Sequence, residues 1–128
     1  MQIEAIDHVV LTVASIEKTV EFYTSVLGMQ CVQFGKNQER KALVFGSQKF
    51  NLHEVGNEFI PRAAASTPGS LDICLLTKMP IDEVVADLTT RGIAIEEGPV
   101  ERTGATGKLI SVYFRDPDSN LIEVANAH

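Results

Sequence analysis

Apolar and polar positions follow two rhythms along this chain, a period of two and a period near four, and they recur in the same order twice. Ile6 to Val13 (IDHVVLTV) is β-branched and aliphatic around one histidine and ends at Ser15, a competent helix N-cap, which predicts a strand followed by a helix. From Ser15 the residues Ile16, Val20, Tyr23 and Leu27 fall at steps of three and four, and Gly28 supplies a stop, so one amphipathic helix is expected. Met29–Phe34, Lys41–Phe45 and Lys49–Val55 are short strand-like runs, the last two joined by the turn Gly46-Ser47-Gln48. The stretch from Gly56 to Gly69 breaks the pattern with Pro61, Pro68 and an alanine run and reads as a connector. The order then restarts. Leu71–Thr77 is strand-like, Pro80 opens a helix whose buried face is Ile81, Val84, Val85 and Leu88, and Gly92 closes it. Three further strands are predicted at Ala94–Pro99, Leu109–Phe114 and Asn120–Ala125, the last two joined by Asp116-Pro117-Asp118-Ser119.

The chain is thus β-α-β-β-β twice, and weak internal similarity accompanies the repeat. Asp7-His8-Val9-Val10-Leu11-Thr12 matches Leu71-Asp72-Ile73-Cys74-Leu75-Leu76-Thr77 in position, and Asn51-Leu52-His53-Glu54-Val55 echoes Asn120-Leu121-Ile122-Glu123-Val124. The expected fold class is α+β: a single domain, 1–128, of two βαβββ modules at about 1–56 and 70–127 with a connector at 57–69. One helix covers only one face of each sheet, so the other faces are expected to form an open barrel-like sheet around a central pocket.

Strand alternation then selects the polar residues of that pocket, because the set that packs the helix must stay apolar. Val9, Leu11 and Val13 are the packing set of the first strand, which turns His8, Val10 and Thr12 to the pocket. Leu71, Ile73 and Leu75 leave Asp72 and Cys74; Ile122 and Val124 leave Glu123; Phe50 and Leu52 leave Asn51 and His53. His8, His53, Asp72 and Glu123 are therefore the candidate ligands of a divalent metal, Ni, Zn, Mn or Fe, since imidazole and carboxylate donors suit such ions better than Ca. In the first module the ligand stays open between His53, Asn51 and Glu54, because the echo of Glu123 falls on Glu54 and a bulge would turn it inward.

Composition narrows the function classes. Hydrophobic residues at 45% and charged ones at 22% place the chain among globular proteins rather than disordered ones. Eleven basic against seventeen acidic side chains, net charge −6, exclude a phosphate-tracking nucleic-acid binder, which needs a positive stripe. Cys31 and Cys74 lie in apolar runs without a C-x-x-C spacing and are expected to be buried thiols. No run approaches the ~20 apolar residues of a membrane span, so a cytoplasmic location without membrane contact is expected. Arg62, Arg102 and Lys108 fall in predicted loops and are candidates for meeting an anionic group.

Ile6-Asp7-His8-Val9, Phe22-Tyr23 with Leu27-Gly28, and Asp116-Pro117-Asp118-Ser119-Asn120-Leu121-Ile122-Glu123 together resemble the vicinal oxygen chelate pattern of glyoxalase I, fosfomycin-resistance enzymes, extradiol dioxygenases and bleomycin-resistance proteins. The likeness is nearest to small glyoxalase-domain-containing proteins, some of them bacterial and labelled virulence-associated. It implies a glyoxalase/dioxygenase fold, a divalent metal held by His8 and Glu123, a third ligand at Asp72 where the family usually has His, and often a fourth from the strand ending the first module. It further implies a small-molecule substrate with neighbouring oxygens, a homodimer, and glyoxalase-like lyase chemistry with Glu123 doubling as the catalytic base. Two alternatives stay open: an Fe(II) or Mn(II) extradiol-type dioxygenase, and a binding protein of the resistance type without chemistry.

Overall fold

The computed structural model describes residues 1–127, which divide into two compact units, Met1–Ser70 and the chain from Leu71 onward. The first contains β1 (His8–Val13), α1 (Ile16–Ser25), β2 (Gln30–Phe34), a single 3-10 turn at Lys36–Gln38, β3 (Arg40–Phe45) and β4 (Gln48–Glu54). The second contains β5 (Asp72–Leu76), α2 (Ile81–Thr90), β6 (Glu97–Thr103), β7 (Lys108–Arg115) and β8 (Leu121–Ala127). Each unit folds into a four-stranded mixed sheet, β1-β4-β3-β2 in one and β5-β8-β7-β6 in the other, with β1–β4 and β5–β8 parallel and the remaining pairs antiparallel. The βαβββ repeat read from the sequence is the repeat that forms.

In the first unit the set facing α1 is Leu11 beside Leu52, Leu43 beside Phe50, and Val13, all buried against Tyr23 and Thr19. Tyr23 meets Phe50 edge-on at 6.0 Å. The second unit repeats the scheme with Val112 beside Val124 and Phe114 beside Ile122, buried together with Val84 and Leu88 of α2. Each such side chain contributes roughly 1.5–3 kcal/mol through burial, so the helix-facing parity is strongly specified and a one-residue slip is not tolerated.

The strand ends position two carboxylates differently. β4 runs from Gln48 to Glu54 in unbroken register with β1, so His53 and Glu54 point to opposite faces. Glu54 faces the helix side, where its carboxylate accepts the N–H of Ile16 at 2.9 Å while the Ser15 hydroxyl accepts from Lys18 at 3.2 Å. It is therefore a helix cap, a role that suits an anion at the positive end of α1. In the second unit, the Asp116–Asn120 turn fixes where β8 begins. Asp116 accepts the N–H groups of Asp118 and Asn120 at 2.9 Å each, and the buried Asn120 amide donates to Asp116 at 2.8 Å while accepting the Leu71 N–H at 2.8 Å. This clamp sets β5 and β8 in the register that puts Cys74 beside Glu123.

Three expectations need correction. β6 covers Glu97–Thr103 rather than Ala94–Pro99, because Pro99 sits at a register shift between Glu97 and Val100 on an edge strand, where a missing N–H is tolerated, and does not end the strand. Arg102 accordingly lies within β6 and Lys108 opens β7, neither being a loop residue; Arg62 does lie in the connector, donating to Ser66 at 2.7 Å. The cysteines are not both buried: Cys74 alternates to the face of β5 away from the helix and is exposed, while Cys31 is half-buried.

Replacing Asn120 with alanine removes the acceptor of the half-buried Leu71 N–H and a buried donor to Asp116, and the expected cost is about 2–3 kcal/mol of unfolding free energy. Urea denaturation of the two proteins measures it directly. A loss under about 0.5 kcal/mol, the range of ordinary surface changes, would contradict the clamp.

Candidate functional site

Alternation in the first unit places His8, Val10 and Thr12 of β1 on the face away from α1, beside Lys49, Asn51 and His53 of β4 respectively. Ala42 and Val44 of β3 and Val32 and Phe34 of β2 continue that face. His8 is 42% exposed and its Nδ1 contacts the Asp7 carboxylate at 2.8 Å. His53, by contrast, is 2% exposed and Asn51 5%. The two histidines are not brought together: His8 pairs with Lys49 and His53 with Thr12, four residues on, roughly 13 Å along the strands. Asn51 is the nearer neighbour of His8, two residues from its partner.

His53 is held instead by a cation. The Arg40 guanidinium reaches its Nε2 at 3.3 Å, and Phe59 from the connector packs against the imidazole with ring centroids 5.5 Å apart. Burial first, then the charge of Arg40, lower its pKa below the ordinary histidine value, so the ring is neutral at pH 7.

In the second unit Asp72, Cys74 and Leu76 of β5 share a face with Leu121, Glu123 and Ala125 of β8, and with Ser111 and Tyr113 of β7. Asp72 is exposed at the start of its strand. Glu123 is half-buried, and the fully buried Ser111 hydroxyl donates to it at 2.6 Å. Cys74 of β5 and Tyr113 of β7 are its cross-strand neighbours. Arg102 turns to the neighbouring Tyr113, its Nε donating to the phenol oxygen at 3.0 Å and its Nη2 to Glu97 at 3.1 Å. Partial desolvation on the sheet face, and then the Glu123 charge, push the thiol of the otherwise exposed Cys74 up to about 11. Burial is also the main reason that the Tyr113 phenol is raised, with the Arg102 contact opposing it.

Among the described residues, neither unit by itself gathers three His, Cys, Asp or Glu side chains into a metal-holding group. Asp72 and Glu123 do share a face of adjacent strands in the second unit, while His8 stands on the corresponding face of the first. The residues that sequence reasoning overlooked are Arg40, Ser111, Tyr113 and Phe59. Continuing the parity count from Ala42 back to Arg40, and from Glu123 across to Tyr113, would have found three of them; Phe59 sits in a connector with no periodicity to read.

The family model of the glyoxalase/bleomycin resistance protein/dioxygenase superfamily matches residues 5–124. The chain belongs to that superfamily. Its superfamily relatives include the virulence protein STM3117 of Salmonella typhimurium, 55% identical over 98% of this chain and 85% of that protein, whose crystal structure superposes with a TM-score of 0.96 at 54% identity over the full length of both chains. The glyoxalase domain-containing protein RDO1 of Mycosarcoma maydis is 49% identical over 98% of this chain and 70% of its own length. A mutant of the fosfomycin resistance protein FosX of Listeria monocytogenes, complexed with Mn(II) and a dihydroxypropylphosphonic acid, shares the superfamily fold, with a TM-score of 0.67 at 20% identity over 99% of this chain and 93% of that one.

A thiol held near 11 carries little thiolate at pH 8, so Cys74 should alkylate with iodoacetamide far more slowly than a free cysteine thiol. In metal-stripped Cys31→Ser protein, Glu123→Gln removes the neighbouring charge and is expected to raise that rate several-fold, with the pH profile moving to lower pH. An unchanged profile would show that Glu123 does not govern the thiol.

Proposed function

We propose that this protein is a divalent-metal-dependent enzyme of glyoxalase type acting on a small substrate with neighbouring oxygens. The observation that carries the reading is the setting of Glu123: a half-buried carboxylate on the face away from the helix, accepting from Ser111 and flanked in register by Cys74 and Tyr113, with no Lys or Arg paired to it among the described residues. A half-buried carboxylate without a protein cation is suited to a bound one.

The donor chemistry fits. His8 would supply imidazole nitrogen and Asp72 and Glu123 carboxylate oxygen, the ligand types of Zn, Ni, Mn and Fe(II) sites. Of the first-module candidates, Glu54 is taken up in capping α1, and His53 suits a metal poorly. A cation at His53 would stand against the Arg40 guanidinium, whose hydrogen bond already occupies Nε2. When bound, the metal would act as a Lewis acid on two substrate oxygens.

The remaining chemistry belongs to the chain. Ser111 orients the Glu123 carboxylate, which serves as the proton acceptor. Tyr113 keeps its phenolic proton at neutral pH and stands beside Glu123 in register, placed to return a proton, with Arg102 fixing its oxygen. The metal setting would serve a dioxygenase as well, and what favours the glyoxalase type is the pairing of Glu123 with a protonated Tyr113, which suits proton transfer; the ligand-sequestering reading has no such observation in its favour.

Protein purified without a nickel column is expected to carry or take up one divalent metal per chain, measured by elemental analysis, and to lose it in both His8→Ala and Glu123→Ala. Removing a group that orients a metal ligand costs about 10–100-fold in affinity, so Ser111→Ala should weaken retention by that order. Failure of the wild type to take up Zn, Ni, Mn or Fe(II) on reconstitution would overturn the metal reading and leave a sequestering protein.

A further inference from the structure

Arg40, Asn51 and His53 form a cluster whose pairing the metal reading leaves unexplained. Three buried polar atoms here have no partner: Arg40 Nε, Asn51 Oδ1 and His53 Nδ1. Asn51 and His53 are almost wholly buried and lie two residues apart on one face of β4; Ala42, two residues from Arg40, pairs with Asn51 on that face. The protonation state follows from the geometry. A guanidinium only donates, so Nε2 of His53 accepts from Arg40 and the ring proton sits on Nδ1. The cluster therefore presents two orphaned donors, Arg40 Nε–H and His53 Nδ1–H, and one orphaned acceptor, Asn51 Oδ1.

Its surroundings are cationic and aromatic. The Arg40 guanidinium lies 5.0 Å from the Phe34 ring centroid and 4.6 Å from that of Phe59, and the Lys49 ammonium lies 4.0 Å over Phe34. Among the described residues neither Arg40 nor Lys49 has a carboxylate partner. Leaving such donors orphaned and buried is costly, so each calls for a partner that the fold itself does not supply.

We infer that Arg40, His53 and Asn51 form a recognition subsite for a 2-hydroxycarboxylate group. The carboxylate oxygens accept from Arg40 Nε–H and His53 Nδ1–H, and the adjacent hydroxyl donates to Asn51 Oδ1. The flanking Phe34 and Phe59 rings favour a planar carboxylate over a tetrahedral oxyanion. Every group lies in the first unit, so in metal-free protein the subsite stands independently of the metal reading and names a substrate class beyond it.

The test is an NMR titration of metal-stripped wild type with glycolate, acetate and inorganic phosphate at constant ionic strength, following the Arg40 Nε–H and His53 imidazole signals. Glycolate is expected to shift both and to bind about tenfold more tightly than acetate or phosphate, the discrimination of one well-placed hydrogen bond. Arg40→Gln is expected to abolish binding, and Asn51→Ala to bring glycolate down to the acetate level while leaving acetate unchanged; the glycolate shifts persist in Glu123→Ala. Phosphate binding as tightly as glycolate would overturn the carboxylate assignment in favour of a general anion site. An absence of shifts at Arg40 and His53 with all three anions would overturn the subsite altogether, whatever the metal content proves to be.

Discussion

Each unit of this protein depends on one constraint: a four-stranded sheet covered by a single helix must commit one parity of every strand to the apolar core. Leu11, Val13, Leu43, Phe50 and Leu52 meet that demand in the first unit, and Val112, Phe114, Ile122 and Val124 in the second. Because a slip of one residue exchanges the two faces, this commitment also decides every residue on the opposite face. The chemistry-bearing side chains are fixed in place by the apolar neighbours between them.

Two glutamates show how strict the division is. Glu54 and Glu123 both sit on the strand that pairs in parallel with the first strand of their unit, in similar local sequence. Glu54 pairs with Val13 on the helix side and caps α1, whereas Glu123 pairs with Cys74 on the other side and accepts from the neutral Ser111 hydroxyl. One residue of offset separates a structural carboxylate from one suited to a cation. The Asp116–Asn120 turn has the same dual aspect: its hydrogen bonds are wholly structural, yet they place Glu123 in its register with β5. Its value as a family signature thus has a physical basis in strand alignment as well as in chemistry.

Much of the fold was legible because its signals are local. Ser15, Gly28, Pro80 and Gly92 bracket two helices with clear apolar stripes, and parity alone put Asn51, His53, Asp72 and Glu123 on the faces away from them. The edge strand β6 was misplaced because Pro99 looks like a terminator when its hydrogen-bonding side is unknown. The burial of Cys74 was misjudged because an apolar run resembles a strand covered on both faces until the pairing shows which face the helix covers. The association of His53 with Arg40 and Phe59 was not legible, since it joins two strands to an aperiodic connector. Periodicity tells which side a residue faces but not what stands beside it.

If the faces away from the helices, and not the acidic surface at large, hold the divalent cation, a paramagnetic ion will find them first. Substoichiometric Mn(II) added to isotopically labelled, metal-free protein tests this, because the ion broadens only nearby nuclei. The expected result is selective loss of the His8 imidazole and Glu123 side-chain signals while those of Glu17 and Asp82 on the helices persist. Broadening that follows carboxylate exposure across the surface, with His8 and Glu123 no more affected than Glu17 and Asp82, would contradict it.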